Sequence, residues 1–413
     1  MTHKHRHHWL KHMLLFFAAF GPGIVVMLAD TDAGSLITAA QSGAVWGYRL
    51  LLLQFILMPI LYIAQELTVR LGLTTQKGHG ELIKEKFGTY WAWISVSALL
   101  LSCVGAIISE FSGLASVGIL FGIPEWVMVL LAAVFLIGLV TTGSYRSVEK
   151  VAIFIGLFEF MFFVVAWKAH PNVKDIAKAL VSVPWANSSY WYLMAANIGA
   201  VVMPWMIFYQ QSAVVDKGLR PRHLRQARWD TAIGAVITQL IMAAALVATA
   251  ATIGKTHPGA SLNSVHEISQ ELTPFLGQTV GRLIFAMGMI GASLIAAIVV
   301  SLTAAWGLGE VTGYKRSLCN KPSQAPWFYG VYVLIVFIGA VVVLSGINLV
   351  HLNVDVEVMN AILLPVVLGF LFTLAWKVLP KKIRLQGWYW WVAMIVLSVT
   401  AAFGLISGVF GSL

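Results

Sequence analysis

The stretch 21-GPGIVVMLADTDAGS-35 sets two carboxylates, Asp30 and Asp32, and the small pair Ala33-Gly34 inside an apolar segment long enough to cross a bilayer. A carboxylate at membrane depth costs at least ~3 kcal/mol on insertion scales, so a chain that retains one generally uses it. Gly34 and its small neighbours can unwind a helix, and unwound backbone is tolerated at that depth only inside protein or beside a cavity. The segment therefore reads as a broken transmembrane helix with Asp32 as a cation-binding carboxylate at the break. A structural alternative is that Asp32 accepts hydrogen bonds from amides freed by the break. Asp30, two residues away, either caps the break or faces an aqueous vestibule.

Composition gives the class. Hydrophobic residues make up 59% of the 413 and charged residues only 11%, with a mean hydropathy of +0.84, so the chain is a polytopic, all-α membrane protein. Cys103 and Cys319 supply neither a disulfide framework nor a paired-cysteine metal site. No resident cofactor is expected. Met1 to His12 followed by an apolar run imitates a signal peptide, but the run passes Gly21-Pro22-Gly23 without a small-residue cleavage site, so it is expected to be a retained first span.

Apolar runs of about 20 residues fall near 13–42, 46–69, 91–120, 124–143, 150–168, 190–214, 229–253, 278–308, 326–347, 356–376 and 387–410. They make eleven spans and one integral domain behind a His-rich tail at 1–12, with the longer loops at 169–189 and 254–277 as small external caps. With a cytoplasmic N-terminus, 21 of the 27 Lys and Arg lie on the inner side, leaving only Arg49, Lys168, Lys174, Lys178, Lys255 and Arg282 outside. The C-terminus is then outside, in a plasma membrane. The net charge of +10 is an orientation signal and calls for no nucleic-acid partner.

A second break lies at 197-NIGAVVMPW-205, where an interior proline removes a backbone donor and clashes with the preceding turn. Breaks in spans one and six are what a five-plus-five inverted repeat produces, facing one another near the midplane. The repeats would occupy about 13–168 and 190–376, with an extra helix at 387–410. Asp32, the Ala200 carbonyl and the Met203 sulfur would then share one small polar site.

The stretches GPGIVVMLADTDAGSLITAAQSGAVWGYRLL, QELTVRLGLTT, SEFSGLASVGILFGIP, GSYRSVEKVAIFIGLFEFMFFV and GAVVMPW resemble the natural resistance-associated macrophage protein (NRAMP) family of divalent metal transporters. The likeness is most specific in the pairing of Asp-x-Gly in span one with Ala-x-x-Met-Pro in span six. It implies the fold of sodium-coupled amino-acid transporters (LeuT-type) and alternating access around a midplane metal site. By the resemblance, Asp32, Ala200 and Met203 match the family's aspartate, carbonyl and thioether ligands. Ser35 stands where an asparagine ligand is usual, and ligates directly or through a water. Glu110 matches a family glutamate. Ile107 and Trp205 replace an aspartate and a histidine of the proton route, and Leu363 stands near a tenth-span glutamine. Proton coupling is thus not inherited from the likeness, and Asp30, Glu110 and Trp205 are only accessory or pathway positions.

Ligand chemistry leaves the ion open. Carboxylate, carbonyl and hydroxyl oxygens suit Mg²⁺, Mn²⁺ and Ca²⁺, whereas a thioether favours softer ions, so Met203 argues for Mn²⁺ or Fe²⁺. Ser35 and the extra Asp30 would suit a hydrated Mg²⁺. An ion-coupled organic-solute symporter is the reading from another class, although an aspartate in the break would repel a substrate carboxylate. Neither a hydrolase motif nor a phosphate-cradling loop is present: 266-HEISQ-270 lacks the second histidine of the zinc-protease pattern. The sequence leaves the oligomeric state open, and a monomer is compatible with transport. Glu66 and Arg70 read as an i,i+4 pair, Glu159 has no assigned partner, and Asp355 and Glu357 flank the outer end of span ten, where they could attract cations into the entrance but more simply read as solvated groups.

Overall fold

At Asp30-Thr31-Asp32 the chain closes one helix and opens the next. Thr31 turns back on Leu28, its amide and its hydroxyl both donating to the Leu28 carbonyl (3.2 and 2.9 Å). Asp32 is extended (φ −67°, ψ 173°) and caps the next helix by accepting from the Ser35 amide at 2.7 Å, the usual role of an aspartate before a first turn. The computed structural model describes residues 21–142, 144–259, 262, 277–346 and 349–412. The His-rich tail and the 266–270 stretch lie outside the described residues.

Every regular element among the described residues is helical. In chain order they are α1 (Pro22–Asp30), α2 (Ala33–Trp46), α3 (Leu51–Thr75), α4 (His79–Phe87), α5 (Thr89–Leu120), α6 (Glu125–Val140), α7 (Tyr145–Gly156), α8 (Met161–Lys168) and α9 (Val173–Leu180). Then come α10 (Ser188–Gly199), α11 (Pro204–Asp216), α12 (Leu224–Ala251), α13 (Ile253–Thr256), α14 (Gln278–Thr312), α15 (Pro326–Val343), α16 (Leu349–Val378) and α17 (Gly387–Ser412). Among the described residues nine helical runs are long and apolar enough to cross a membrane. One of them, Ala33–Thr75, contains a turn at Gly47 (φ 60°) and so holds two limbs, while α6 is a shorter apolar helix. Among the described residues the helices thus account for the eleven expected spans, with α1/α2 as span one and α10/α11 as span six.

The two broken spans sit at the centre. The span-six run Ser188–Asp216 is 89% buried over its most apolar window, against 39% for α15 and for α17 at the periphery. Around it α5 and α14, spans three and eight, form the most extensive helix pair, while α12 packs along α1, α2 and α3, and α16 along α2, α5 and α10. Close approach is permitted by glycine: a Cβ on Gly43 would lie 2.3 Å from the Leu246 carbonyl oxygen, and one on Gly199 would lie 1.8 Å from that of Glu357.

The loops rich in Lys and Arg gather at one end and lock to one another. Lys217 pairs with Glu149 (2.7 Å), Arg316 with Glu81 (2.5 Å), and Glu66 receives both Arg70 (2.6 Å) and Arg228 (2.7 Å). Asp230 accepts from the amides of Gly21, Gly23 and Ile24 at 3.2, 2.7 and 3.1 Å, fixing the start of α1 to α12. At the opposite end α9 packs on the 3₁₀ turn Gly47–Leu50, giving the expected 169–189 loop its helical cap. The 254–277 loop is described only in part.

Candidate metal site

Asp32 uses its two oxygens differently. Oδ1 caps α2, and Oδ2 has no hydrogen-bond partner among the described residues although the side chain is completely buried. The capping reading and the ligand reading are therefore both accommodated by one side chain. Three residues on, the Ser35 hydroxyl donates to the Ala200 carbonyl at 3.0 Å, so the two breaks meet through Ser35. Ala200 ends α10 and Met203 begins α11 in extended backbone (φ −93°, ψ 144°), with Pro204 in the first turn, where its fixed φ and missing N–H are tolerated. Both Ala200 and Met203 are completely buried.

Glu110 of α5 reaches the same break, where its Oε2 accepts from the Ala33 amide at 3.2 Å while Oε1 has no partner among the described residues. Glu357 arrives from α16, and this corrects the expectation that it is solvated. It is 1% exposed, its Oε2 accepts from Asn360 at 3.0 Å, and its Oε1 lies 2.5 Å from where a Cβ on Gly34 would stand. Glycine at position 34 thus leaves room for a carboxylate as well as loosening the helix. Asp355 is exposed as expected and accepts from Tyr192. Leu363, part-buried farther along α16, is not the polar group that this helix delivers to the break.

The remaining acids sort by partner. Asp30 ends α1 and neither caps the break nor faces a vestibule: it is buried and accepts from Thr238 of α12 at 3.3 Å. Glu159, completely buried in the 3₁₀ turn Leu157–Phe160, sets its Oε2 against the hydroxyl of Thr31, the residue between the two aspartates. The i,i+4 pair Glu66–Arg70 is present. Trp205 is completely buried with no partner for its Nε1 among the described residues, and Ile107 is buried against Gly339; neither side chain can take up a proton.

A sequence signal for Glu357 existed in the polar stripe Asn353, Glu357 and Asn360 at i, i+4 and i+7 along an otherwise apolar span, all three buried. It faces α5, where Ser112 receives Asn353 Nδ2 at 2.9 Å and Ser102 donates to Asn360 at 2.6 Å. Among the described residues no three His, Cys, Asp or Glu side chains are grouped tightly enough to hold an ion unaided. The span-six break adds the Ala200 carbonyl and the Met203 thioether to this set. Asp32, Ser35, Ala200, Met203, Glu110 and Glu357 are all buried.

The wider comparisons agree with this architecture. The chain is 25% identical over 392 residues, 90% of its length and 93% of the relative's, to the divalent metal cation transporter MntH of Klebsiella pneumoniae subsp. pneumoniae. It is 26% identical over 312 residues, 71% of its length and 67% of the relative's, to the protein of the same name from Bradyrhizobium diazoefficiens. In fold it superposes on the manganese transporter of Eremococcus coleocola with a TM-score of 0.76 at 19% identity, covering 95% of this chain and 86% of the other. A Na⁺-coupled sialic acid symporter follows at 0.62 and 12% identity, covering 95% and 89%. Residues 23–409 match the family described as natural resistance-associated macrophage protein-like, and the chain belongs to that family.

Proposed function

We propose that this chain imports divalent metal ions as a secondary transporter or uniporter working by alternating access, without enzymatic chemistry. The observation that carries the reading is the buried Oδ2 of Asp32, without a partner among the described residues, at a break whose other wall is the Ala200 carbonyl. An entering ion would take Asp32, the Ala200 carbonyl and the Met203 sulfur, with Ser35 released from Ala200 to ligate it or to hold a water. Glu357 Oε1 adds a second carboxylate oxygen toward the same break. Met203 favours Mn²⁺ or a similar transition ion, because a thioether strengthens binding of softer ions and adds little for hard ones.

A Mg²⁺ transporter is the second reading, favoured by the carboxylates around a short Ser35, since Mg²⁺ keeps several waters and meets one or two carboxylates. Organic-solute symport fits less well: a substrate carboxylate held at the half-helix amides would face Asp32 and Glu357. The buried carboxyl groups Glu110, Glu159 and Asp30 are candidates to carry a coupled proton. The domain is a single integral unit with repeats near 13–168 and 190–376, its basic end cytoplasmic in the plasma membrane, and one chain supplies the whole site.

The test is uptake of Mn²⁺, Mg²⁺ and Ca²⁺ into liposomes holding the purified protein and an internal pH dye. Uptake should be lost in Asp32→Ala; uptake unchanged by that substitution overturns the site. Acidification that tracks metal entry would establish proton coupling.

A further inference from the structure

A cavity of about 440 Å³ opens at the basic end between α3 and α12, lined by Tyr62, Arg225, Arg228, Trp229 and Ala232. Arg228 is held through its Nε, which forms an ion pair with Glu66 Oε1 at 2.7 Å and donates to the Tyr62 hydroxyl at 3.4 Å. Its two terminal amino groups have no partner among the described residues, and Arg225, one turn earlier and exposed, pairs with no acid there. Two guanidinium groups thus present unused donors to one cavity.

Below them the wall becomes apolar. Trp229, Ile233, Val236 and Leu240, spaced four, three and four residues apart, form a single stripe down α12, each 37 to 53% exposed. In a membrane that stripe lies against hydrocarbon, and a tryptophan at its head sits where indoles concentrate, at the interface. Cationic donors at the headgroup level above an apolar stripe match one kind of occupant. A free anion would engage only the guanidinium groups, and a zwitterionic lipid would bring no net charge to them.

We propose that the α3–α12 cavity binds an anionic phospholipid, its phosphate on Arg225 and Arg228 and an acyl chain along Trp229 to Leu240. Basic pockets between membrane helices on the cytoplasmic side hold such headgroups by the same electrostatics. The site adjoins the elements that hold the broken spans. Arg228 shares Glu66 with Arg70, which donates to the Ile383 carbonyl in the loop between α16 and α17, and Asp230, two residues on, anchors α1.

Native mass spectrometry of the intact protein, released from detergent with added dioleoylphosphatidylglycerol or dioleoylphosphatidylcholine, tests the assignment. Phosphatidylglycerol should be retained over phosphatidylcholine, and Arg225→Gln should weaken its retention roughly 5-fold, with Arg225→Gln/Arg228→Gln losing roughly 25-fold. Arg225→Gln breaks no ion pair, so it remains informative if the double variant fails to fold. Equal retention of the two lipids, or retention unaffected by Arg225→Gln, overturns the proposal. Displacement of phosphatidylglycerol by millimolar inorganic phosphate overturns it too, in favour of a soluble-anion site.

Discussion

Glu357→Gln separates a functional carboxylate from a structural one. The side chain is buried, one oxygen is satisfied by Asn360, and the other points into the space that Gly34 leaves open beside Asp32. Glutamine keeps the volume and the acceptor for Asn360 while removing the charge. In the metal-free protein this deletes one of the carboxyl groups buried around the break, beside Asp32 and Glu110. Such a loss should stabilise by about 1 kcal/mol, because burying an ionisable carboxyl group without a counter-charge is a net cost. When metal binds, the same substitution removes an anionic group from its surroundings, and losses of that kind weaken metal affinity roughly 10- to 100-fold, about 1.4–2.7 kcal/mol. The two effects have opposite sign, which a purely structural glutamate would not produce. Thermal unfolding in detergent, with and without Mn²⁺, reads both. Glu357→Gln should raise the apparent Tm of the metal-free protein and shrink the upward shift that Mn²⁺ produces, and liposome uptake should need more metal to saturate. A metal-free Tm that falls, together with an unchanged Mn²⁺ shift, would refute the assignment.

Met203→Ala should reduce Mn²⁺ uptake roughly 10-fold and spare Mg²⁺; equal loss of both ions would remove the thioether from the site. Gly199→Ala places a methyl 1.8 Å from the Glu357 carbonyl oxygen and 2.8 Å from the Ala361 amide nitrogen, backbone atoms that cannot swing aside. It should destabilise by about 1–3 kcal/mol or more, seen as a lower apparent Tm. Gly34→Ala instead meets the mobile end of the Glu357 side chain at 2.5 Å, so it should leave Tm nearly unchanged while impairing uptake, and the reverse ranking of the two glycines would contradict the packing described. Asp230→Ala strips the acceptor from three amides at the start of α1, a loss of roughly 1–3 kcal/mol. Hydrogen exchange at residues 21–30 should accelerate in that variant, and unchanged protection would show that Asp230 is not the anchor.

Local signals made the breaks readable. Asp32 ahead of a small-residue turn and Pro204 after Met203 act within a few residues, so their effect on the helix follows from the chain itself. The Glu66–Arg70 pair was legible for the same reason, as were the eleven apolar segments and the gathering of Lys and Arg at one end. Asp32 itself was read with two alternatives, cap or ligand, and the structure assigns one oxygen to capping and leaves the other open. Asp30 was harder, because its partner Thr238 belongs to α12 and no spacing rule connects them.

Taken alone, the sequence determined the class, the spans, both helix breaks and the residues most able to meet a cation, because hydropathy, capping and proline act over short distances. Tertiary structure alone decided which distant groups join them. It brings Glu357 from α16 against Gly34, sets Glu159 on Thr31, and joins Ser35 to the Ala200 carbonyl. These contacts depend on which faces of packed helices meet. A polar stripe such as Asn353, Glu357 and Asn360 shows that a face is buried, but only the packed helices show what it is buried against.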